Sequence, residues 1–149
     1  VRVSGSEKDP AGAGVADDAV AVEKSKNHSD RRTARQWARA GFGGLPVKTR
    51  KAGMLAHRHL LGFELGPWSG FNHIFGWSIV SSKPEVLHLE ARGPTMTGHM
   101  VWRVEAERFV MTTFVHYKKP VKARLVWAIA GPIHRNGVPN LLRLAAKSK

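Results

Sequence analysis

Residues 97–119, TGHMVWRVEAERFVMTTFVHYKK, form two stretches in which apolar and polar side chains alternate. This period of two is typical of β-strands with one buried face. If Ala106 and Glu107 are the central residues of a tight turn between the stretches, the register of a hairpin follows. The predicted pairs are Val104 with Phe109, Trp102 with Met111, and Met100 with Thr113.

The register sorts the side chains of this hairpin onto two faces. A slip of one residue would exchange the faces, so the agreement between turn and pattern supports the pairing. The apolar face carries Met100, Trp102, Val104, Phe109, Met111 and Val115. The mixed face carries His99, Arg103, Glu105, Arg108, Thr112 and His116, together with Val101, Val110 and Phe114.

Further elements are predicted on both sides of the hairpin. FGWSIVSS at 75–82 and EVLHLEAR at 85–92 share the period of two and extend an antiparallel meander, and AVAVEK at 19–24 is a possible extra strand. A helix pair precedes the meander: the first helix has Ser29 or Asp30 as its N-cap and buries Trp37, and the second begins near Pro46.

A long closing helix is predicted from Pro120, with breaks at Gly131-Pro132 and at Pro139. Its stripe of Val121, Leu125, Ala128 and Ile129 has the spacing by which an amphipathic helix faces a core. The order of the elements predicts an α+β fold in which a helix pair and an antiparallel meander precede a closing helix that is kinked or broken near Gly131. Residues 1–14 are expected to be a disordered tail, and 15–149 a single domain.

Charge and cysteine content narrow the function classes. The net charge is +13, and residues 31–63 and 108–149 hold eight and nine basic residues with no acidic one. Without cysteine there is no disulfide, thiolate nucleophile or cysteine zinc site. No histidine pair has the i, i+4 spacing of a helical metal site, so neither a metal nor another cofactor is expected.

The longest apolar run has nine residues, where about 20 are needed to cross a bilayer. The N-terminal residues lack the pattern of a secretory signal. A cytoplasmic location is therefore expected, with peripheral contact to a membrane as an option.

Several stretches together resemble a known superfamily. They are RTARQWARAGFGG, GWSIVSSKPEVLHLEARGPTMTGHMVWRVE, MTTFVHYKKP and VWAIAGPIHRNGVPNLLRLAAK, within residues 30–147. The order of elements resembles the START-like and polyketide-cyclase-like helix-grip (SRPBCC) superfamily, and the motifs resemble an uncharacterised bacterial branch known only as a domain of unknown function. The resemblance implies a curved sheet around a C-terminal helix with a cavity between them. It brings no catalytic residues.

Noncovalent binding of an apolar small molecule or lipid-like metabolite is the favoured function. The predicted ligand-binding residues are Met100, Trp102, Phe109, Met111 and Trp127, although a filled core would show the same pattern. His134, after the Gly-Pro pair, is a weak catalytic candidate. A cyclase or hydratase stays an alternative, but no Asp or Glu follows Glu107, so an enzyme is not favoured.

The basic blocks indicate a second possible function, binding to an anionic partner such as a membrane surface, nucleic acid or acidic protein. A solvated helix exterior would give the same pattern. No sequence-specific nucleic-acid motif is present, and the pattern leaves the oligomeric state open. The predicted anion-binding residues are Arg32, Arg35, Arg39, Lys118, Lys119, Lys122 and Arg124.

Overall fold

The computed structural model describes residues 18–27 and 29–148, so the predicted tail at 1–14 lies outside the described residues. The helices are α1 (Ala34–Gly43), α2 (Val47–Leu55), which continues into a π-helical turn (Ala56–Leu60), and α3 (Pro120–Lys147). The strands are β1 (Asp18–Ser25), β2 (His73–Ile74), β3 (Trp77–Ser82), β4 (Val86–Arg92), β5 (Met96–Val104) and β6 (Arg108–Tyr117). The fold is α+β, as predicted.

The strands form one curved antiparallel sheet in the order β1-β6-β5-β4-β3-β2. The predicted hairpin register is confirmed: Val104 pairs with Phe109, and Trp102 with Met111. The amide of Glu105 donates to the carbonyl of Arg108 at 2.8 Å, which closes the turn. The possible strand at 19–24 is β1, which extends the sheet beyond β6.

Aromatic side chains from α1 join the helices to the apolar face of the hairpin. Trp37 stacks on Phe109 with ring centroids 4.0 Å apart, and Phe42 meets Trp102 edge-on at 5.9 Å. All four rings are almost completely buried. The mixed face of β5 and β6 is buried as well at Val101, Val110, Thr112 and Phe114.

The start of α1 differs from the prediction, because the N-cap is Thr33 and neither Ser29 nor Asp30. The hydroxyl of Thr33 accepts from the amide of Gln36, and the Gln36 side chain accepts from the amide of Thr33, which is a capping box. Asp30 instead pairs with Arg32 at 2.7 Å. Arg32 therefore lies before the helix and does not share a helical face with Arg35 and Arg39.

The predicted breaks in the closing helix are wrong, since α3 is one helix of 28 residues that contains Pro132 and Pro139. Proline removes the hydrogen bond to the carbonyl four residues earlier. Those carbonyls belong to Ala128 and Arg135, which are both exposed, so water can take the place of the missing donor. A kink of the helix axis at Pro132 stays a prediction.

The stripe predicted for the first half of α3 lies on the wrong side of the helix. Val121, Leu125 and Ile129 are 78%, 66% and 60% exposed, and Ala128 is exposed too. The side that faces the protein carries Ala123, Trp127, Ala130, Gly131, Val138, Leu141, Leu142 and Ala145. Small residues at four of these positions allow the helix backbone to approach its neighbours closely.

Within residues 18–27 and 29–148, none of the helices combines the length and apolar character that crossing a bilayer requires.

A glycine in the middle of β5 leaves room for the side-chain rings of Trp77 and Phe63 over the sheet. A Cβ atom on Gly98 would lie 2.7 Å from Cη2 of Trp77 and 3.0 Å from Cζ of Phe63, both buried rings. We predict that Gly98→Ala lowers the free energy of unfolding by about 2 kcal/mol, measured by urea denaturation. Gly43→Ala is the control, because its Cβ would meet no atom within 4 Å. Equal stability of the two variants would contradict this packing.

Candidate functional site

A cavity of about 230 Å³ lies between α2, α3 and the helix-facing side of the sheet. Met100 and Met111 contribute its sheet side, and Phe42, Phe75 and Leu141 contribute apolar walls. The polar residues of the lining are Thr49, His57, His134 and Asn140. No Asp, Glu, Lys or Arg is among the lining residues, so the cavity is apolar with a few neutral polar groups.

The five predicted ligand-binding residues divide into two groups. Met100 and Met111 line the cavity, whereas Trp102 and Phe109 lie in the filled core under α1. Trp127 lies beside the cavity, with its ring centroid 5.6 Å from that of His134. One part of the apolar face is therefore packed, and another part borders open space.

Two glycines explain why space remains between the helices. At Gly137 on α3 a Cβ atom would meet nothing within 4 Å, and this exposed residue lines the cavity. At Gly53 on α2 a Cβ atom would lie 2.9 Å from Cζ of Phe75. Because Gly53 has no side chain, Phe75 approaches α2 and forms a wall of the cavity. Because Gly137 has no side chain, the cavity stays open beside α3.

His134 presents an unsatisfied nitrogen beside the cavity. Its Nε2 lies 3.2 Å from Oγ1 of Thr113, and its Nδ1 is buried without a hydrogen-bond partner among the described residues. Burial, with smaller contributions from the nearby His57 and Arg135, lowers the pKa of His134 to about 4. The imidazole is therefore neutral at pH 7.

His57, in the π-helical turn, contributes a second neutral imidazole. Its Nδ1 lies 2.7 Å from the carbonyl oxygen of Gly53, and because a carbonyl only accepts, Nδ1 carries the proton. The lone pair is then on Nε2. Burial lowers the pKa of His57, and the hydrogen bond to Gly53 raises it. The effect of burial is the larger, so the pKa lies below its ordinary value. Phe75 and Trp77 contact this ring edge-on at 5.2 and 5.9 Å between centroids.

His57 was not among the predicted site residues. The sequence pattern offered a usable signal, because Gly53 and His57 are four residues apart in a helical stretch, where a side chain can bond the carbonyl one turn back. Two neutral imidazoles can hydrogen-bond an uncharged polar group. Neither has a carboxylate in the cavity lining to support proton transfer.

The predicted anion-binding residues also divide. Arg32 donates to the carbonyls of Ala145 and Ser148 at 2.9 and 2.8 Å, which caps the end of α3. Two other arginines of this set hydrogen-bond the loop before β2. Arg35 donates to the carbonyl of Phe71, and Arg39 donates to the carbonyl of Gly70 at 2.6 Å. These arginines are thus engaged in holding the fold together.

Lys118 donates to the carbonyl of Gly93 at 2.9 Å. Lys119, Lys122 and Arg124 are exposed, and their side chains make no hydrogen bond or ion pair with any residue that the structure describes. The basic residues at the start of α3 therefore remain available to a partner, in contrast to those around α1.

Two other features are weaker candidates. A surface depression of about 340 Å³ near Lys26, Asp30 and Glu85 is larger, but it is lined by charged side chains, of which Arg32 and Asp30 pair with each other. On the mixed sheet face, Nε2 of His88 lies 3.0 Å from Nδ1 of His99. The described part of the chain contains no group of three or more His, Asp or Glu arranged to hold a metal ion.

The half-buried His134 predicts a pH dependence of stability. Between pH 6.5, the ordinary pKa of histidine, and about pH 4, the unfolded chain binds a proton at His134 and the folded chain does not. The free energy of unfolding should therefore fall as the pH is lowered through this window, by on the order of 2–3 kcal/mol, and should be fully retained above it.

Urea denaturation of the His134→Gln variant over the same pH range isolates this contribution, since glutamine does not titrate. We expect a flatter pH dependence for His134→Gln than for the wild type. Asn136→Gln is the control, because Asn136 is exposed on the same helix and does not titrate, so the slope of this variant should match the wild type. Equal slopes for all three proteins would rule out a neutral, buried His134.

Comparison with protein-family models, curated proteins and solved structures finds no match for this chain.

Proposed function

We propose that this protein binds a neutral, mostly apolar small molecule with one polar group in the cavity between α2, α3 and the sheet. The observation that carries the proposal is the lining: methionine, phenylalanine and leucine side chains around two neutral imidazoles, with Nδ1 of His134 buried and without a hydrogen-bond partner in the part of the chain that the structure describes. A buried polar atom without a partner costs about 1–3 kcal/mol. If the His134 ring turned Nδ1 toward the cavity, a hydroxyl or carbonyl of a ligand would remove that cost.

The size of the cavity limits the ligand. A cavity of about 150 Å³ holds the six carbons of benzene, so by the same ratio 230 Å³ encloses about nine non-hydrogen atoms. A longer molecule can extend past the exposed lining residues Thr49 on α2 and Ile133 and Gly137 on α3. A bicyclic aromatic alcohol or the end of a lipid-like metabolite fits these limits.

The resemblance to the helix-grip superfamily supports the same proposal. That resemblance implies a ligand cavity between a curved antiparallel sheet and a C-terminal helix, and this protein has a cavity between such elements. We include membership of the helix-grip superfamily in the proposal on this ground.

Binding is favoured over turnover by the acid–base properties of the lining. A cyclase or hydratase needs a general acid or base with a pKa near the working pH. The pKa of His134, about 4, makes it a weak base at pH 7, and the lining contains no carboxylate. We therefore assign His134 a hydrogen-bonding role toward the ligand.

Isothermal titration with naphthol and naphthalene tests the proposal. Both are neutral bicyclic molecules, and they differ by one hydroxyl. We expect naphthol to bind about tenfold more tightly, which corresponds to one additional hydrogen bond. The double variant His57→Leu/His134→Leu should bind the two molecules with equal affinity, because neither imidazole then remains in the cavity lining to bond the hydroxyl.

A second variant tests the location. Gly137→Leu adds a side chain at the cavity mouth without contacting any other atom at its Cβ, and it should weaken naphthol binding by about tenfold or more. Asn136→Leu is the matched control on the preceding, exposed residue of the same helix and should leave the affinity unchanged. Absence of saturable naphthol binding to the wild type, or equal affinities for the two leucine variants, would refute the proposal.

A further inference from the structure

The outward side of α3 is unusual for a helix exterior. Val121, Leu125, Ile129 and Ile133 are 78%, 66%, 60% and 65% exposed. They recur at every fourth residue, so they share one side of the helix over a length of about 18 Å. We call these four residues the α3 stripe. Contiguous exposed apolar surface of this kind marks an interaction site in soluble proteins.

Basic side chains surround the α3 stripe. Lys119 precedes it, and Lys122, Arg124 and Arg135 are exposed between or beside its members. No Asp or Glu occurs anywhere in residues 108–149, or in residues 31–63, which contain α1 and α2. A partner for this surface should therefore combine apolar groups with negative charge.

The α3 stripe ends at the cavity. Ile133 belongs to the stripe and also lines the cavity, and its neighbours His134 and Gly137 line it too. The surface that would meet a partner is therefore continuous with the mouth through which a ligand would enter.

We propose that the α3 stripe docks this protein on an anionic lipid bilayer, with the cavity mouth opening toward the acyl chains. The aliphatic side chains enter the boundary between headgroups and acyl chains, and the flanking Lys122, Arg124 and Arg135 contact lipid phosphates. An apolar ligand can then pass between the bilayer and the cavity without crossing water. Only this last step rests on the proposed ligand-binding function.

Other binding partners match the apolar and basic side chains of the α3 stripe and its surroundings less well. A second copy of the chain would place two sets of basic residues against each other, which like-charge repulsion disfavours. A nucleic acid would neutralise the cations but would leave the aliphatic side chains without an apolar partner. An anionic bilayer provides both kinds of contact at once.

Vesicle co-sedimentation tests the proposal with the whole chain. The vesicles are phosphatidylcholine alone, or phosphatidylcholine with about 30 mol % phosphatidylglycerol. We expect the wild type to bind the anionic vesicles and to be released as salt is raised. The double variant Leu125→Ser/Ile129→Ser should bind at least about tenfold more weakly, because it removes apolar surface that would enter the bilayer.

Matched controls separate docking from general effects. Val80→Ser changes a residue that is 54% exposed on β3, away from α3, and should leave vesicle binding unchanged. Lys122→Glu/Arg124→Glu should abolish the preference for anionic vesicles, whereas Lys83→Glu, at an exposed residue after β3, should preserve it. The substituted residues are all exposed, so each variant should keep the thermal stability of the wild type.

Three results would overturn the proposal. The first is that the wild type does not bind anionic vesicles. The second is that Leu125→Ser/Ile129→Ser and Val80→Ser lose equal amounts of vesicle binding. The third is that sedimentation velocity shows a dimer of the wild type that the double variant Leu125→Ser/Ile129→Ser dissociates. Naphthol binding without vesicles distinguishes the two proposals. If the wild type binds naphthol but does not bind vesicles, only the docking proposal is contradicted. If the wild type binds vesicles but does not bind naphthol, only the ligand-binding proposal is contradicted.

Discussion

The pairing of β5 with β6 determines the rest of the architecture, because it decides which side chains of the central strands meet the helices. With Trp102 opposite Met111, the rings of Trp102 and Phe109 and the two methionines point to the same side. A shift of one residue would direct His99 and Arg103 toward the helices and would bury charge without a partner. The stacked pair of Trp37 and Phe109, and with it the position of α1, depends on this register.

The cavity is a consequence of how unevenly that face is filled. Large rings from α1 cover Trp102 and Phe109, whereas Met100 and Met111 face α2 and α3, whose nearest positions include Gly53 and Gly137. Burial keeps the two adjoining histidines neutral, so the space is polar enough to orient a ligand and too weakly charged to attract an ion. Packing and pKa thus both favour recognition of an uncharged molecule.

The hairpin register and the fold class could be predicted from the sequence, because a period of two and a short turn constrain each other. The side of α3 that faces the protein could not be predicted from the sequence. Its buried side includes Ala123, Ala130, Gly131 and Ala145, which carry little apolar signal but permit close approach, while the larger Val121, Leu125 and Ile129 face outward. Periodicity detects large apolar residues and does not show which partner they meet. The bond from His57 to Gly53 follows from their spacing of four residues, but the place of His57 in the cavity lining depends on Phe75 packing against its ring in space.

The central claim is that a ligand occupies the space next to Met100 and Met111, and the four methionines of the chain allow a direct test. Met96 is completely buried away from the cavity, and Met54 lies on α2 outside its lining. In methyl NMR spectra of ¹³C-methionine-labelled protein titrated with naphthol, the signals of Met100 and Met111 should shift and those of Met54 and Met96 should not. Shifts confined to Met54, or no shift at saturation, would contradict the account.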